Sequence, residues 1–169
     1  MNSKPISYVF DSSFLIYFGK VRLLDKIGLL PGIKIIPSEV YNELINIGKD
    51  REEQEVDYII NIVENKIFVV RDVENLIVSA PGLSNADAQV LSLAKKTQSI
   101  AIIDERYANS LAESYNIETH GLIYMLILLV KEKIISKKVA FGHLDEIIKE
   151  GFYLSNQKYK DVIDLISRI

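Results

Sequence analysis

Short runs of β-branched and aromatic residues alternate along this chain with longer stretches of helical periodicity, and this alternation restricts the fold most. Runs that are too short for a helix and rich in Ile, Val or Phe are expected to be strands. Four are clear and a fifth, at 115–119, is weaker; the clear ones are 6–11, 33–37, 66–70 and 99–104. Strands that alternate with helices form parallel strand–helix–strand units. The sequence therefore predicts an α/β fold around a mostly parallel sheet of four or five strands.

The segments between the predicted strands repeat apolar residues every three or four positions, as helices do when one face packs on a sheet. They cover 38–48, 51–66, 84–96 and 105–115. From about residue 121 the pattern is helical alone, over 121–135, 141–151 and 156–166. We expect this C-terminal extension to pack on the sheet and to form an oligomer surface. No repeat, linker or low-complexity stretch divides the chain, so we expect residues 1–169 to form one domain.

The composition excludes several classes of protein. The chain has no cysteine, so disulfide frameworks and thiolate zinc sites are impossible, and a reducing cytoplasm is the expected location. The first residues, MNSKPISYVF, lack the pattern of a signal peptide. The most apolar stretch, LIYMLILLV, is shorter than a membrane span of roughly 20 residues, so no membrane association is expected. A net charge of −3 gives no general attraction to nucleic acid, so binding of nucleic acid would need local cations.

Four acidic residues are predicted to meet at one edge of the sheet. In open parallel sheets, ligands bind outside the carboxyl ends of the strands. Asp11 ends the first strand and Asp104 ends the fourth, whereas Glu43 lies in the helix after the second strand and Asp87 opens the helix before the fourth. Periodicity places Glu43 beside a buried helix face and places Asp87 on the face toward the sheet. We expect their carboxylates to lie close together.

Each of these acids also has a structural explanation. Asp11 precedes SSFLIYF and suits a helix N-cap. Asp87 follows Ser84 by three residues, which resembles a capping box, although that motif prefers Glu or Gln. Asp104 also suits an N-cap, and its neighbour Glu105 is the alternative ligand at that position. The sequence leaves the choice between Asp104 and Glu105 open.

One shared cause explains four acids at one edge more economically than four separate caps. Mg²⁺ and Mn²⁺ prefer oxygen ligands and bind a few carboxylates, with water and substrate phosphate completing the shell. Such an ion activates water for displacement at phosphorus, which favours phosphodiester hydrolysis. The chain has no Cys, no G-x-S-x-G and no glycine-rich phosphate loop, so nucleophilic triads and nucleotide-triphosphate folds have little support. We expect His143 to be a surface or capping residue and His120 to be structural.

Four stretches resemble the successive acidic motifs of PIN-domain proteins: VFDSSFLI, PSEVYNEL, LSNADAQVLSLA and AIIDERYANSLAESYNI. The resemblance covers residues 6–155. The order is most similar to a prokaryotic subgroup related to the toxin ribonucleases of toxin–antitoxin pairs, in which the last motif reads I-D-E-R before a helix. The next segment of that subgroup is similar to IETHGLIYMLILLVKEKII, with Thr119 and Gly121 in matching places.

This resemblance implies a Rossmann-like three-layer α/β/α PIN domain, often a homodimer, that cuts RNA with Mg²⁺ or Mn²⁺. It implies an antitoxin protein as a partner if the chain belongs to such a pair. It assigns Ser13 as a companion hydroxyl of the first acid and Arg106 as the basic residue near the last. The implied catalytic residues are Asp11, Glu43, Asp87 and Asp104, and the implied metal ligands are Asp11, Asp87, Asp104 and Glu105.

Two rival interpretations remain. A protein with the PIN fold and without its chemistry would act by binding RNA or a protein partner. A phosphoacceptor domain also places aspartates at strand ends, but phosphatases need a second aspartate at the position of Ser13, and receivers need a late lysine that has no clear candidate here. A basic cluster follows the apolar helix and is typical of a solvated face; it consists of Lys131, Lys133, Lys137 and Lys138.

Overall fold

Five parallel strands and the helices that connect them make up the computed structural model, which describes residues 6–51 and 54–169, with side chains described outside 48–54. The strands are β1 (Ser7–Phe10), β2 (Ile33–Pro37), β3 (Val69–Arg71), β4 (Ile100–Ile102) and β5 (Thr119–His120). The helices of the described residues are α1 (Ser12–Lys20), α2 (Leu24–Gly28), α3 (Ser38–Arg51), α4 (Gln54–Glu64), α5 (Asn85–Thr97), α6 (Arg106–Ser114), α7 (Leu122–Lys131), α8 (Lys137–Lys149) and α9 (Asn156–Arg168).

The sheet has the strand order β3-β2-β1-β4-β5, and every pair of neighbours is parallel. This confirms the predicted α/β class and the parallel sheet of five strands. The fifth strand lies at Thr119–His120 and not at 115–119, because Tyr115 and Asn116, the latter with a φ of 52°, close the end of α6. From β1 the chain first winds outward through β2 and β3, and then it crosses to β4 and β5 on the other side. The order therefore reverses between β1 and β4, and in open α/β sheets the crevice at such a reversal is where ligands bind.

The sheet is the middle layer of a three-layer arrangement. Helix α5 lies across β1, β2 and β4, and it also contacts α3 and α6. Helices α1, α2 and α4 pack against one another, and the C-terminal helices α7, α8 and α9 form a second group that meets α1 through α8. All four residues of β1 are buried, as expected of a central strand that is covered on both faces.

Stacked phenylalanines fasten α1 to the sheet. The ring of Phe10, at the end of β1, lies 4.8 Å from that of Phe14, and Phe14 lies 4.3 Å from Phe18 one turn later. Phe68 meets Phe10 edge to face at 5.3 Å. All four rings are buried, so the turn from β1 into α1 is anchored on both sides. This turn contains Asp11.

Two further differences from the prediction are an additional short helix and a later start of one strand. Helix α2 has only five residues, too few to produce a helical period in the sequence. The strand predicted over 66–70 begins only at Val69, because Lys66 has a φ of 61° and its N–H bonds to the Val63 carbonyl at 2.9 Å, which closes the end of α4. Residues 52 and 53 of the helix predicted over 51–66, and residues 1–5, lie outside the described residues.

No helix in the described ranges is both long and apolar enough to cross a membrane. The most apolar one, α7, has 10 residues. Six of its side chains are buried among the other helices and the sheet, which explains its apolar sequence: Leu122, Met125, Leu126, Ile127, Leu129 and Val130.

Candidate functional site

Asp11 is a buried carboxylate at the point where the strand order reverses. It is 5% exposed, and its backbone N–H donates to the Ile102 carbonyl of β4 at 3.1 Å. Its Oδ1 accepts a hydrogen bond from the Phe14 N–H at 2.8 Å, so it is the N-cap of α1. The capping interpretation of Asp11 is therefore correct, but capping does not require burial.

The electrostatic surroundings of Asp11 disfavour its negative charge. Burial raises its pKa to about 8, and the charges of Asp104 and Asp87 add to the rise. The backbone N–H groups of Phe14 and Asp104 oppose it. Within the described residues no cation forms an ion pair with Asp11. A buried carboxylate without a counter-charge is costly, so it stays protonated or acquires a cation.

Asp104 and Glu105 are adjacent, but they serve different helices. Asp104 Oδ2 accepts a hydrogen bond from the Leu122 N–H at 2.8 Å, at the start of α7. Glu105 is the N-cap of α6 and accepts from the Ala108 N–H at 2.6 Å. Protein atoms crowd the Asp104 carboxylate, and this burial raises its pKa, while the Leu122 N–H and the charge of Lys158 lower it. The structure thus gives these two carboxylates different hydrogen-bond partners.

Gly121 leaves the space that the Asp104 carboxylate occupies. A Cβ atom built on Gly121 would overlap Oδ1 of Asp104, and it would lie 3.0 Å from the Asp104 Cγ. The backbone of Gly121 is extended, with φ of −98° and ψ of −177°, so glycine is needed here for space and not for its conformation. Only a residue without a side chain allows Asp104 to reach the start of α7.

Asp87 and Ser84 form a reciprocal cap at the start of α5. The Ser84 hydroxyl donates to Asp87 Oδ2 at 2.7 Å and accepts from the Asp87 N–H at 3.0 Å. Partial burial raises the pKa of Asp87, the Ser84 hydrogen bond lowers it, and the charge of Glu105 raises it. Because α5 crosses β1 and β4, this cap places Asp87 beside the crevice where Asp11 lies.

Glu43 completes the group from α3. It is half-buried, and burial raises its pKa while a side-chain hydrogen bond from Ser12 lowers it. The charges of Asp87 and Glu39 raise it further. Sequence reasoning missed Ser12, although its position next to Asp11 was a usable signal. Ser13, the residue that the resemblance assigned, is exposed on α1.

Negative charge on some of these acids raises the pKa of others. The charges of Asp104 and Asp87 raise the pKa of Asp11. The charge of Asp87 raises the pKa of Glu43, and the charge of Glu105 raises that of Asp87. Nevertheless, in the described part of the chain no three Asp, Glu or His side chains already form an arrangement that could hold a metal ion. The donors fit Mg²⁺ or Mn²⁺ by chemistry, since all are carboxylate oxygens and the most buried of them, on Asp11, form no ion pair within the described residues. Side-chain rotation would have to complete the ligand set.

A cleft of about 670 Å³ opens beside Asp104. Arg106, the first residue of α6, lines it, as do Lys158 and Asp161 of α9. Lys158 lies more than fifty residues from the last acidic motif, and nothing in the sequence connected it with the site. We call the surroundings of Asp11, Glu43, Asp87, Asp104 and Glu105 the acidic crevice. Of these five residues, Asp104 lines the cleft.

The remaining candidates have structural surroundings. His120 stacks on Tyr124 at 3.8 Å between ring centroids, and its Nε2 lies 3.0 Å from a Glu118 carboxylate oxygen. His143 Nδ1 lies 2.9 Å from a Glu146 carboxylate oxygen on the surface of α8. The four lysines of the basic cluster are exposed, as expected of a solvated face.

A family model described as a PIN domain matches residues 7–168. The chain belongs to the PIN-domain family. The family predicted from the four acidic motifs is therefore confirmed. Members of this family are typically nucleases, and their domains generally use divalent metal ions. Membership also implies that this PIN-domain protein binds RNA.

Two solved structures resemble this one at low sequence identity. A PilT N-terminus domain protein, SSO1118, from the archaeon Sulfolobus solfataricus P2 is 9% identical, with a TM-score of 0.47 over 69% of this chain and 87% of that one. A domain of a functionally unknown protein from Methanocaldococcus jannaschii DSM 2661 is 22% identical, with a TM-score of 0.49 over 69% of this chain and 91% of that one. Among curated proteins, none matches the sequence significantly.

Proposed function

We propose that this PIN-domain protein is a metal-dependent endoribonuclease. Carboxylates of Asp11, Asp87, Asp104 and Glu105 would hold Mg²⁺ or Mn²⁺, with Glu43 beside them. One observation carries the proposal: a buried carboxylate, Asp11, lies among other acids at the reversal of strand order and has no cationic partner within the described residues. A divalent cation would compensate this charge and explain its burial.

The protein's own groups divide the remaining work. A bound Mg²⁺ or Mn²⁺ would supply an activated water and polarise the phosphoryl oxygen. The N–H groups of Phe14 and Asp104 fix the Asp11 carboxylate, and the Leu122 N–H fixes that of Asp104, so the direction of both carboxylates is set. Glu43 has a raised pKa and is oriented by Ser12, which suits it to accept the proton of the attacking water as the P–O bond to the leaving oxygen breaks.

RNA cleavage with matched isosteric variants tests this proposal. The purified protein should cut single-stranded or structured RNA with Mg²⁺ or Mn²⁺ and should stop when a chelator is added. Asp11→Asn keeps the N-cap but removes the charge, and Glu43→Gln removes the proton acceptor, so each should lose roughly 10²-fold or more in rate. Asp164→Asn, an exposed change on α9, should cleave like the parent. A parent that cuts no RNA with either ion, or Asp11→Asn at the parent's rate, contradicts the proposal.

A second candidate function is binding of RNA or a protein partner without catalysis. It is favoured by one observation: each acid already has a backbone or serine partner, and no three of the described acids form a ready ligand set. Calorimetry with Mn²⁺ distinguishes the two functions. A working site binds Mn²⁺, and Asp87→Asn weakens that binding, whereas a degenerate site gives no heat with either protein.

We also propose that the protein is a homodimer and acts as the toxin of a toxin–antitoxin pair, as in the subgroup that its I-D-E-R motif resembles. Sedimentation equilibrium should give twice the monomer mass of 19.2 kDa. The product of the adjacent gene, when co-expressed, should copurify and inhibit cleavage. A monomer across the concentration range, or a neighbour that neither binds nor inhibits, contradicts the respective proposal.

A further inference from the structure

The cleft beside Asp104 is larger than a site for a metal ion at the acidic crevice would need to be. It lies between the N-terminal ends of α6 and α7 on one side and the connection from α8 to α9, with α9 itself, on the other. Its volume of about 670 Å³ falls within the roughly 300–1,000 Å³ of small-molecule pockets. A single nucleotide is therefore the right size of occupant.

Tyr153 stands at the rim of this cleft on a fixed backbone. Helix α8 ends in a turn in which Gly151 has a φ of 101°, the Gly151 N–H bonds to the Ile148 carbonyl at 3.0 Å, and the Phe152 N–H bonds to the Ile147 carbonyl at 3.2 Å. This is the hydrogen-bond pattern of a Schellman motif. Phe152 then packs edge to face on Tyr17 at 5.4 Å, which holds the connection against α1.

The ring of Tyr153 itself is left in solvent. Tyr153 is 83% exposed, the most exposed large apolar residue of the described chain. Single exposed aromatic residues are common, so exposure alone does not indicate a ligand. What distinguishes Tyr153 is its position, since it lines the same cleft as Asp104 and two cationic side chains.

Arg106 and Lys158 are those two cations. Neither forms an ion pair with another residue that the structure describes. Lys158 is close enough to Asp104 for its charge to lower the pKa of that carboxyl. Asp161 also lines the cleft, and its Oδ1 accepts a hydrogen bond from Gln157 at 2.9 Å. Unpaired cations beside an exposed ring match the features of single-stranded RNA, which has a charged backbone and unstacked bases.

We propose that this cleft binds one unpaired nucleotide of the RNA substrate, next to the phosphate that is cut. Tyr153 stacks on the base, and Arg106 and Lys158 contact the phosphates that flank it. The inference rests on the proposed function, because Asp104 belongs both to the lining of the cleft and to the acidic crevice. It specifies the substrate further: the nucleotide beside the cut must be unpaired, because a base inside a duplex cannot reach the ring.

Binding measured without cleavage tests this inference. Each variant is made in the Asp11→Asn background and titrated with a fluorescent, unstructured oligoribonucleotide of about ten nucleotides while anisotropy is recorded. Tyr153→Ala should weaken binding about tenfold, and Tyr153→Trp should restore it, because stacking needs a flat ring. Since Tyr153 is exposed, these variants should fold as the parent does, which circular dichroism verifies.

The salt dependence separates the roles of the cations from that of the ring. Removing one phosphate contact to a single strand lowers the slope of log K against log salt by about 0.7. Lys158→Ala and Arg106→Ala should each show that decrease, whereas Tyr153→Ala should keep the parent slope. Lys160→Ala, two residues along the same helix and exposed, is the matched control and should change neither affinity nor slope. A blunt RNA duplex should bind equally with and without the Tyr153 ring.

The outcomes distinguish this inference from the proposed function. If the oligoribonucleotide does not bind, or if Tyr153→Ala and Lys158→Ala bind like Lys160→Ala, the cleft does not hold a nucleotide, whatever the cleavage assay gives. If binding depends on Tyr153 but the unmutated protein cuts no RNA, the nucleotide site stands and the nuclease proposal fails. A cleft that binds only the adjacent-gene protein and no RNA overturns the inference.

Discussion

At the scale of single residues, Asp11 is where folding and function conflict. Two phenylalanines, Phe10 and Phe14, fix its backbone between the sheet and α1, so the side chain cannot move out to solvent. Burial then disfavours its charge, and the neighbouring acids increase the effect. We call this unfavourable burial of a carboxylate strain. A metal-free site that carries it should gain stability when a cation binds.

This strain predicts a pH dependence for the metal-free protein. The pKa of Asp11 is about 8 in the folded chain against an ordinary value of 3.8, so between these values the unfolded chain gives up a proton that the folded chain keeps. The free energy of unfolding should therefore fall as pH rises from about 4 to about 8, and level off above, by several kcal/mol at ~1.4 kcal/mol per pKa unit. Glu43, Asp87 and Asp104 act in the same direction, because their pKa values are also raised.

Urea unfolding at several pH values, with a chelator present, measures this slope. Asp11→Asn is neutral throughout and should flatten the slope and be more stable than the parent at pH 8, while Asp164→Asn should keep the parent slope. Adding Mn²⁺ at pH 8 should stabilise the parent more than Asp11→Asn. Identical pH profiles for the parent and Asp11→Asn would show that Asp11 is not strained.

Gly121→Ala tests the position of Asp104. The new methyl group would occupy the place of the Asp104 carboxylate and displace it from the start of α7, so cleavage and Mn²⁺ affinity should each fall about tenfold or more. Gly142→Ala is the matched control, because nothing lies within 4 Å of a Cβ there. Gly142 lies inside α8, so this change should stabilise the protein by about 0.5–1 kcal/mol and leave cleavage unchanged. Equal cleavage by both variants would show that Asp104 is not part of the catalytic site.

Which residues could be predicted at this scale follows from how far apart they are in sequence. Asp11, Glu43, Asp87 and Asp104 could be selected because strand ends and helix faces follow from local periodicity. Local pattern could not decide between Asp104 and Glu105, because the difference depends on the distant N–H of Leu122. For the same reason the sequence could not assign Lys158 to the site, since only the packing of α9 brings it to Asp104.

At the scale of elements, several helix starts combine capping with site construction. Ser84 caps α5 and at the same time holds the Asp87 carboxylate, and Asp11 does both jobs alone for α1. Ser136 and Ser155 cap α8 and α9 without touching any acid of the crevice. Capping and site formation can therefore be separated by comparing serines.

Ser84→Ala and Ser136→Ala make that comparison. Each removes one side-chain cap and should lower the free energy of unfolding by about 1 kcal/mol in urea denaturation. Ser84→Ala also releases the Asp87 carboxylate and removes a hydrogen bond that lowers the pKa of Asp87, so it alone should weaken Mn²⁺ binding and cleavage. If both variants lose activity equally, the effect reflects stability and not the hydrogen bond to Asp87.

The long helices were predictable and the short helix α2 was not. Helices α5, α7 and α9 each span at least 10 residues and show clear periodicity. Helix α2 has five residues and its start is not capped by a side chain, so neither periodicity nor a cap could indicate it. The start of β3 was misplaced because the apolar residues Ile67 and Phe68 read as strand, whereas the left-handed Lys66 makes the turn after α4.

At the scale of the whole molecule, one hydrophobic core joins the two helix groups. Buried side chains from Tyr8 in β1 to Ile166 in α9 belong to the same cluster. The alternation of strands and helices predicted the architecture because it is a property of the entire chain. How the helical extension packs depends on side-chain shape, which periodicity does not encode, so its use in a homodimer stays a prediction.

A shared core predicts one cooperative unfolding transition for the full chain. The chain has no tryptophan and 9 tyrosines, so tyrosine fluorescence reports tertiary packing and far-ultraviolet circular dichroism reports helices. With a chelator present, the two thermal curves should coincide within error. Two separated transitions would instead show that the helical extension folds as a unit of its own.

The sheet ends on both sides in very short strands, three residues in β3 and two in β5. Unpaired edge strands offer backbone groups to which another chain can add, and their length sets how many hydrogen bonds such an intruder gains. Here an added strand would find only a few donors and acceptors before the chain turns away. The shortness of β3 and β5 therefore protects an otherwise open sheet from amyloid-like growth.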